Sequence, residues 1–101
     1  MPREYDFWVY IMTNKRDSVL YIGMTNDLTR RVSEHQSSEI LGFTADSRCH
    51  KLIFWEHYSD VHDAIAREKQ LKSWSRKKKV GLIESMNPRW VDLSEEIFGN
   101  I

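Results

Sequence analysis

The sequence predicts a small α/β layer domain of the α+β type, with one short sheet and helices packed on it. Three runs rich in aromatic and β-branched residues predict strands. Three segments with apolar residues three and four positions apart predict helices. Only a short polar turn separates the first two strands, so they pair antiparallel, which excludes a doubly wound Rossmann sheet.

The first two strands are predicted at residues 7–12 and 19–23, around the polar turn 14–17. A four-residue hairpin loop is common between antiparallel strands. It would place Tyr10 directly opposite Tyr21, so both phenols would lie on one side of the sheet. A register slip of one residue would place them on opposite faces.

A first helix is predicted at about residues 27–36, where it is preceded by residues able to cap it. Leu28 and Val32 would face the core. The polar residues 37–48 predict a surface loop, and the apolar, aromatic run 51–58 predicts the third strand.

The second helix is predicted at about residues 60–74, with Ser59 or Asp60 as its N-cap. Glu68 interrupts the apolar stripe of this helix, at a position where another apolar residue is expected. A carboxylate there is unfavourable unless something compensates its charge, and a bound cation is one such compensation. The stripe itself consists of Val61, Ala64, Ile65 and Leu71.

A third helix is predicted at residues 76–86, from the N-cap Ser75 to the helix-ending pair Asn87-Pro88. The tail from Arg89 onward predicts irregular chain, in which Trp90 could serve as an anchor.

The composition indicates one globular domain covering residues 1–101, because 41% of the residues are hydrophobic and 30% are charged. No apolar run approaches the roughly 20 residues that cross a bilayer, and no signal-peptide pattern is present. Cys49 is the single cysteine, so no internal disulfide can form. We therefore expect a cytoplasmic protein without a membrane partner.

The formal net charge is zero, but the charge is unevenly distributed. Residues 84–96 are mainly acidic, whereas residues 67–79 are mainly basic. The basic run could meet a phosphate backbone, or it could be a solvated helix face. Its basic members are Arg67, Lys69, Lys72, Arg76, Lys77, Lys78 and Lys79.

Each candidate for chemistry also has a structural interpretation. Tyr10 and Tyr21 could simply pack, since tyrosine is favoured in strands. Arg31 and His35 are adjacent on one helix face, which could be a solvent-facing pair. Glu68 could pair with the lysine four residues further on.

Other site chemistries are disfavoured. Cys49, His50, His57 and His62 lack the paired spacing of a zinc site. No third group is placed to orient Cys49 as a nucleophile, and the sequence has no glycine-rich phosphate loop.

In combination, the motifs resemble those of the GIY-YIG nuclease superfamily. Trp8-Val9-Tyr10 is similar to the first motif, and Tyr21-Ile22-Gly23 is the second motif intact. Residues 24–35 resemble the helix of the family, with its arginine at Arg31 and its histidine at His35.

Residues 66–72 are similar to the segment that supplies the metal-binding glutamate of the family, here Glu68, and residues 87–90 resemble the close of its short stand-alone members. Two positions depart from the family pattern. Trp8 replaces the glycine of the first motif, which makes the strand surface bulkier. Met24 stands where some branches have a lysine, which speaks against a lysine-activated base.

Over about residues 7–94, the resemblance implies a three-stranded antiparallel sheet flanked by helices. It also implies hydrolysis of DNA phosphodiester bonds with a single divalent cation, Mg²⁺ or Mn²⁺. Glu68 would bind this cation. Arg31 would pair with the non-bridging phosphate oxygens.

The remaining roles that we expect from the resemblance concern protons and positioning. Tyr10 would position or deprotonate the attacking water, and the cation and the guanidinium would lower its pKa. Tyr21 and His35 would hold the phosphate or relay protons. Asn87 would orient a neighbouring group.

The basic run 67–79 would follow the DNA backbone with little sequence readout. We therefore expect selectivity for structure, such as branched or flapped DNA, with a protein partner as one source of further specificity. Two other functions compete: a nucleic-acid-binding module with weak or no catalysis, and a protein-interaction domain that uses exposed tryptophans. The complete set of tyrosine, arginine, histidine and glutamate favours the enzyme, because a binding module does not need all of them.

Overall fold

The computed structural model describes residues 5–37 and 49–98, so the predicted loop at 37–48 lies almost wholly outside the described residues. Within these two ranges, no helix combines the length and the apolar character that a membrane crossing requires. The elements, in chain order, are β1 (Phe7–Thr13), β2 (Leu20–Thr25), α1 (Leu28–Ser37), β3 (Lys51–Tyr58), α2 (Val61–Ser73), α3 (Arg76–Met86) and α4 (Ser94–Phe98).

The three strands form one antiparallel sheet in the order β2-β1-β3. Successive residues of the central strand β1 point to opposite faces. Val9 and Ile11 pack with residues of α2 and α3, on what we call the α2 face. Tyr10 and Met12 pack with residues of α1, on the α1 face. Helices therefore cover both faces, which confirms the predicted α+β architecture.

The register of β1 and β2 differs from the prediction by two residues. Tyr10 pairs with Gly23, and Tyr21 pairs with Met12, so the direct pairing of the two tyrosines was wrong. A shift of two residues preserves the face of every side chain. Both phenols therefore still lie on one side of the sheet, the α1 face.

The β1–β2 connection is longer than a four-residue turn because side-chain bonds shape it. The Asn14 side-chain oxygen accepts hydrogen bonds from the backbone N–H groups of Ser18, at 2.8 Å, and Val19, at 3.3 Å. Asp17 adopts a left-handed conformation with φ of 56°, which aspartate tolerates better than most residues. The loop therefore takes up residues 14–19, and β2 begins only at Leu20.

The helices begin where the sequence predicts because the predicted caps are used. The Asp60 carboxylate accepts from the N–H of His62 at the start of α2. The Ser75 hydroxyl accepts from the N–H of Lys78 at the start of α3. Such bonds satisfy N–H groups that the first helical turn leaves unpaired. Strand β3 also has the predicted bounds, and Leu28 and Val32 of α1 are buried as expected.

The tail contains a helix that the sequence did not predict. Residues 89–93 lie outside helices and strands, as expected, but α4 follows them. The Asp92 carboxylate accepts from the N–H of Ser94 at 2.9 Å, and the N–H of Leu93 donates to the Leu52 carbonyl of β3 at 2.7 Å. The prediction of an irregular tail was wrong for residues 94–98, because a contact distant in sequence helps to fix the start of this helix.

Candidate active site

Tyr10 lies across the edge strand β2 because its partner there is glycine. A Cβ atom on Gly23 would lie 2.5 Å from the Tyr10 hydroxyl oxygen and 2.6 Å from its ring carbon Cζ. No side chain fits in this space, so the glycine allows the backbone and the ring to approach closely. The ring therefore extends over β2, and its hydroxyl points away from β3.

Helix α1 brings Arg31 and His35 onto this hydroxyl, one helical turn apart. Arg31 Nε donates to the Tyr10 hydroxyl oxygen at 3.2 Å, and His35 Nε2 lies 3.5 Å from the same oxygen. The ring centroids of Tyr21 and His35 are 4.8 Å apart, and those of Tyr10 and Tyr21 are 6.2 Å apart. The structure thus brings together both tyrosines, the arginine and the histidine that the sequence singled out.

Burial controls the protonation of Tyr10. It raises the pKa of Tyr10 to about 12, because removal from water penalises the phenolate. The hydrogen bond from Arg31 acts in the opposite direction but is the smaller effect. The guanidinium thus lowers this pKa as expected, but burial raises it by more. Tyr10 keeps its proton at pH 7 and can donate a hydrogen bond as well as accept one.

His35 is uncharged at neutral pH, whereas Arg31 is charged. Burial, and then the positive charge of Arg31, lowers the pKa of His35 from 6.5 to about 4. The hydrogen bond with Tyr10 raises the pKa of Arg31 further above its already high ordinary value. The Tyr10 hydroxyl therefore lies between a fixed cation and a neutral imidazole, and the cation is suited to binding an anion.

The solvent side of Arg31 borders an open groove. The groove has a volume of about 460 Å³ and lies where β2 ends and α1 begins. At its rim Arg31 Nη1 donates to the Glu34 carboxylate at 3.3 Å, and Arg30 Nε donates to the same carboxylate at 3.2 Å. The bond from Arg30, followed by that from Arg31, holds the pKa of Glu34 below its usual value. Glu34 thus occupies a donor of Arg31 that a phosphate oxygen could use.

Glu68, the predicted metal ligand, lies on α2, which packs on the α2 face and not on the face that carries Tyr10. Its side chain is 22% exposed and pairs with Lys72 at 3.3 Å, which is the structural alternative that the sequence left open. Lys72 is itself 56% exposed, and such a surface pair is weak. The carboxylate therefore remains available to a cation.

The packing of α2 indicates which way Glu68 is directed. Ala64 and Leu71 are fully buried and define the line of α2 that faces the sheet. At about 100° per residue, positions 67 and 68 fall on opposite flanks of this line. Arg67 binds Glu56 of β3, so we infer that the flank of Glu68 is directed toward β2. That strand is the one that the Tyr10 ring crosses, and its end adjoins the groove beside Arg31.

The donor set fits a hard cation with few protein ligands. Among residues 5–37 and 49–98, no three histidine, cysteine, aspartate or glutamate side chains gather as a ready-made metal cage. A single half-buried carboxylate such as Glu68 still suits Mg²⁺ or Mn²⁺, because these ions accept oxygen ligands and magnesium keeps several waters.

Asn87 is buried, but its side chain is used within the fold. Its amide nitrogen donates to the carbonyls of Ile53, at 3.1 Å, and Val91, at 2.8 Å, and its oxygen accepts from the Val91 N–H. These bonds tie the end of α3 to β3 and to the tail, where Trp90 packs against the core. They account for an asparagine at this position without any chemistry, and its part in catalysis remains a prediction.

Two of the predicted DNA-binding residues are engaged within the chain. Arg67 holds the Glu56 carboxylate through two bonds of 3.0 Å each. Arg76 donates to the backbone carbonyls of Asp17, at 2.8 Å, and Ser18, at 3.2 Å. These guanidinium groups have partners within the fold, and their contact with phosphates remains a prediction. Their partners are distant in sequence, so the charge run gave no sign of them.

Four of the five lysines of the basic run are exposed. Lys69 and Lys77 are exposed, and Lys79 is half-buried. Lys78 Nζ lies 5.3 Å from the ring centroid of Trp74, and Lys72 makes the surface pair with Glu68. Their contact with phosphates remains a prediction.

Two features of this site were not predicted from the sequence. Glu34 was not singled out, although acids three and four residues after Arg31 and Arg30 predict helix ion pairs. The packing role of Gly23 was also missed, because it becomes visible only when the register places this residue beneath the Tyr10 ring.

The chain is similar to known proteins in sequence. The family model described as the GIY-YIG catalytic domain matches residues 6–80. A UPF0213 protein of Bacillus pumilus (strain SAFR-032) is 37% identical over 70 residues, which cover 69% of this chain and 71% of that protein. A UPF0213 protein of Natronomonas pharaonis is 35% identical over 78 residues, which cover 77% and 91% respectively.

One solved structure shares the fold. The solution NMR structure of a UPF0213 protein from Bacillus halodurans aligns with a TM-score of 0.57 at 26% identity, covering 89% of this chain and 95% of that one. The matched residues 6–80 include the tyrosines, the arginine, the histidine and Glu68, but not Asn87. GIY-YIG domains are nucleases that act on nucleic acid and generally use divalent metal ions. The chain belongs to the GIY-YIG family, and its relatives are the small UPF0213 proteins.

Proposed function

We propose that the protein is a divalent-metal-dependent endonuclease that hydrolyses phosphodiester bonds in DNA. The observation that carries this proposal is the meeting of Arg31 and His35 on the hydroxyl oxygen of Tyr10, at 3.2 Å and 3.5 Å. Bringing a cation, a phenol and an imidazole together at a largely buried point is unfavourable for packing alone. The same arrangement suits an anionic substrate whose charge must be held in place.

Arg31 would bind the non-bridging oxygens of the phosphate that is cleaved. Its Nε is already held by Tyr10, so the guanidinium is oriented before the substrate arrives. Its outer nitrogens face the groove, where the substrate would replace Glu34 as their partner. Charge that grows on the phosphate would then meet a cation fixed in position.

Tyr10 would orient the attacking water and pass on its proton. Because the pKa of Tyr10 is about 12, we do not propose a free phenolate as the base. The hydroxyl oxygen would instead take a proton from the water while its own proton moves to His35 Nε2. A phosphate on Arg31 would offset the charge that helps to lower the pKa of His35, so His35 would become a better proton acceptor. Tyr21, in ring contact with His35, would hold it in place.

Glu68 would hold the metal ion, Mg²⁺ or Mn²⁺, at the β2 side of α2. When bound, the ion supplies a Lewis acid that stabilises charge on the phosphate. Lys72 would give up its weak pair with the carboxylate. Any orienting part of Asn87 would be indirect, through the end of α3 and strand β3 that it joins.

The substrate would be selected by structure more than by sequence. The five lysines of the basic run would contact phosphates, and phosphate contacts position a nucleic acid without reading its bases. Branched or flapped DNA in the cytoplasm is therefore the substrate that we propose, with a protein partner as one source of further specificity. Affinity should fall steeply as salt is raised.

The test is cleavage of nicked, flapped and branched DNA with Mg²⁺, with Mn²⁺ and with EDTA. Wild type should cut only in the presence of metal, and Glu68→Gln should lose cutting while it keeps most of its affinity for DNA. Glu95→Gln, which neutralises an exposed acid of α4, is the matched control and should cut like wild type. Binding without cutting under all metal conditions would favour the binding module. No binding at low salt would favour the protein-interaction domain.

A further inference from the structure

Trp8 lies beside the candidate active site, where the helical cover of the α1 face ends. Trp8, Tyr10 and Met12 share this face because alternate residues of a strand point the same way. Tyr10 and Met12 are 1% and 0% exposed, whereas Trp8 is only half-buried. The indole is therefore partly open to solvent, and the Cα atom of Trp8 lies about 6.6 Å along the strand from that of Tyr10.

The neighbouring strand holds the indole in place. Trp8 pairs across the sheet with His57, and their ring centroids are 5.3 Å apart at an interplanar angle of 63°. His57 Nε2 in turn lies 2.7 Å from the Asp6 carboxylate. An aromatic ring that is already fixed loses little further freedom when it binds a flat ligand.

Trp8 is one strand position away from the groove that borders Arg31, through its partner on β2. On the side away from His57 it pairs with Thr25 of β2, and Thr25 lines this groove. A strand that places a phosphate on Arg31 would therefore carry its neighbouring nucleotide to the indole. Because Thr25 links the indole to the groove, the expected occupant of the indole is a part of the same nucleic acid.

We propose that Trp8 is a stacking platform for an unpaired base next to the phosphate held by Arg31. This inference rests on the proposed function and specifies its substrate class, a nucleic acid with at least one unpaired nucleotide beside the cleaved bond. A base inside a duplex has both of its faces covered by its neighbours, whereas a base at a flap or branch has a free face. Stacking on an aromatic ring accepts every base, so Trp8 adds selectivity for structure without sequence readout.

The test is a double-mutant cycle on binding, measured in EDTA so that no substrate is cut. Flapped DNA is prepared with either an intact or an abasic nucleotide at the junction. Two variants are compared with wild type: Trp8→Leu, which keeps apolar bulk but has no ring, and Trp8→Phe, which keeps a ring. Melting temperatures establish that each variant is folded.

Wild type should lose about tenfold or more in affinity when the base is removed. Trp8→Leu should bind intact flaps as weakly as wild type binds abasic flaps, with little further loss on abasic DNA. Trp8→Phe should recover most of the wild-type difference in affinity between intact and abasic flaps.

Equal losses on both DNAs, or no loss, would overturn the stacking role. If Trp8→Leu does not fold, the wild-type measurements still test the stacking role. Equal binding of intact and abasic flaps by wild type would also overturn that role. A wild type that binds and cuts DNA but ignores the missing base overturns only this inference. A wild type that binds no DNA overturns the proposed function as well.

Discussion

The two faces of the sheet differ in what they bury, although the same strand β1 serves both. On the α2 face, Val9 and Ile11 pack against apolar side chains of α2 and α3. On the α1 face, the buried residues include Tyr10, which accepts from Arg31, and His35, which lies 3.5 Å from the Tyr10 hydroxyl. Burial of polar groups is unfavourable unless they find partners. The polar groups of the α1 face therefore depend on one another as partners, whereas the cluster on the α2 face is apolar.

The comparison shows how a chain of this size can hold a reactive group rigidly. Residues of the α1 face and of the α2 face alternate along β1. The catalytic candidate on that strand therefore has core residues as its chain neighbours. Tyr10 lies between Val9 and Ile11, both fully buried on the α2 face. Side chains fixed in this way need little reorganisation when substrate binds.

The largest effect should come from removing the fixed cation of the α1 face. Arg31→Ala should lower the single-turnover cleavage rate by about 10²- to 10³-fold, the usual effect of losing one stabilising donor. Arg30→Ala is the matched control, because Arg30 shares the partner Glu34 but its side chain is 74% exposed. It should change the rate by only a few fold. Similar losses in both variants would mean that Arg31 has no special role.

The second effect is a pH dependence of stability that comes from a buried histidine of the α1 face. The pKa of His35 is about 4 in the folded protein and near 6.5 when exposed. Between these values the unfolded chain binds the proton and the native protein does not. This part of the stability is therefore complete above pH 6.5 and is lost as pH falls toward 4, by up to roughly 3 kcal/mol.

Urea unfolding at pH 7 and pH 4.5 measures this loss. His35→Gln should be less stable at pH 7 but less sensitive to pH, whereas the exposed His62→Gln should follow wild type. An undiminished pH dependence in His35→Gln would assign the loss of stability to other groups.

The third effect tests the close contact under the Tyr10 ring. Gly23→Ala should destabilise the protein by about 1–3 kcal/mol, because the added methyl overlaps the phenol. It should also reduce cleavage, because Tyr10 must move away from Arg31. In contrast, Gly81→Ala places a methyl in open space on α3 and should stabilise by about 0.5–1 kcal/mol. Thermal unfolding of both variants checks the sign, and a neutral Gly23→Ala would contradict the packing described here.

The smallest effect should come from removing the charge of the carboxylate that pairs with the Nη1 atom of Arg31. Glu34→Gln removes the negative charge of the carboxylate that accepts hydrogen bonds from both Arg30 and Arg31. This change should raise the affinity for flapped DNA by about two- to fivefold at low salt. Glu95→Gln removes the same charge elsewhere and controls for the change in net charge. Fluorescence anisotropy in EDTA measures both variants. Equal gains in the two would show that Glu34 does not compete for Arg31.

The elements could be predicted from the sequence where short-range signals decide them. Asp60 and Ser75 cap α2 and α3 as their residue types indicate, and β3 follows its apolar run. The register of β1 and β2 could not be predicted, because it depends on the side-chain bonds of Asn14. The start of α4 is fixed partly by a contact with Leu52 of β3, which is distant in sequence.

Four of the candidate site residues were predicted together from the sequence and lie together, but their burial could not be predicted. The spacing of Arg31 and His35 placed both on one helix face, and the shift of two in register left the tyrosines together. The lowering effect of Arg31 on the Tyr10 pKa was predicted, but the larger rise caused by burial was not, because the sequence does not show the depth of burial. The ion pair of Arg67 with Glu56 was missed because its partners lie on different elements.

The central claim is that Glu68, carried by the α2 face, completes the site of the α1 face at the edge of β2. The most direct test follows amide NMR signals as paramagnetic Mn²⁺ is added to the protein without DNA. We expect broadening around Glu68 together with the end of β2 and the turn of α1 that holds Arg31. This broadening should disappear in Glu68→Gln and persist in Glu95→Gln. Broadening that survives Glu68→Gln, or that centres on α4, would contradict the claim.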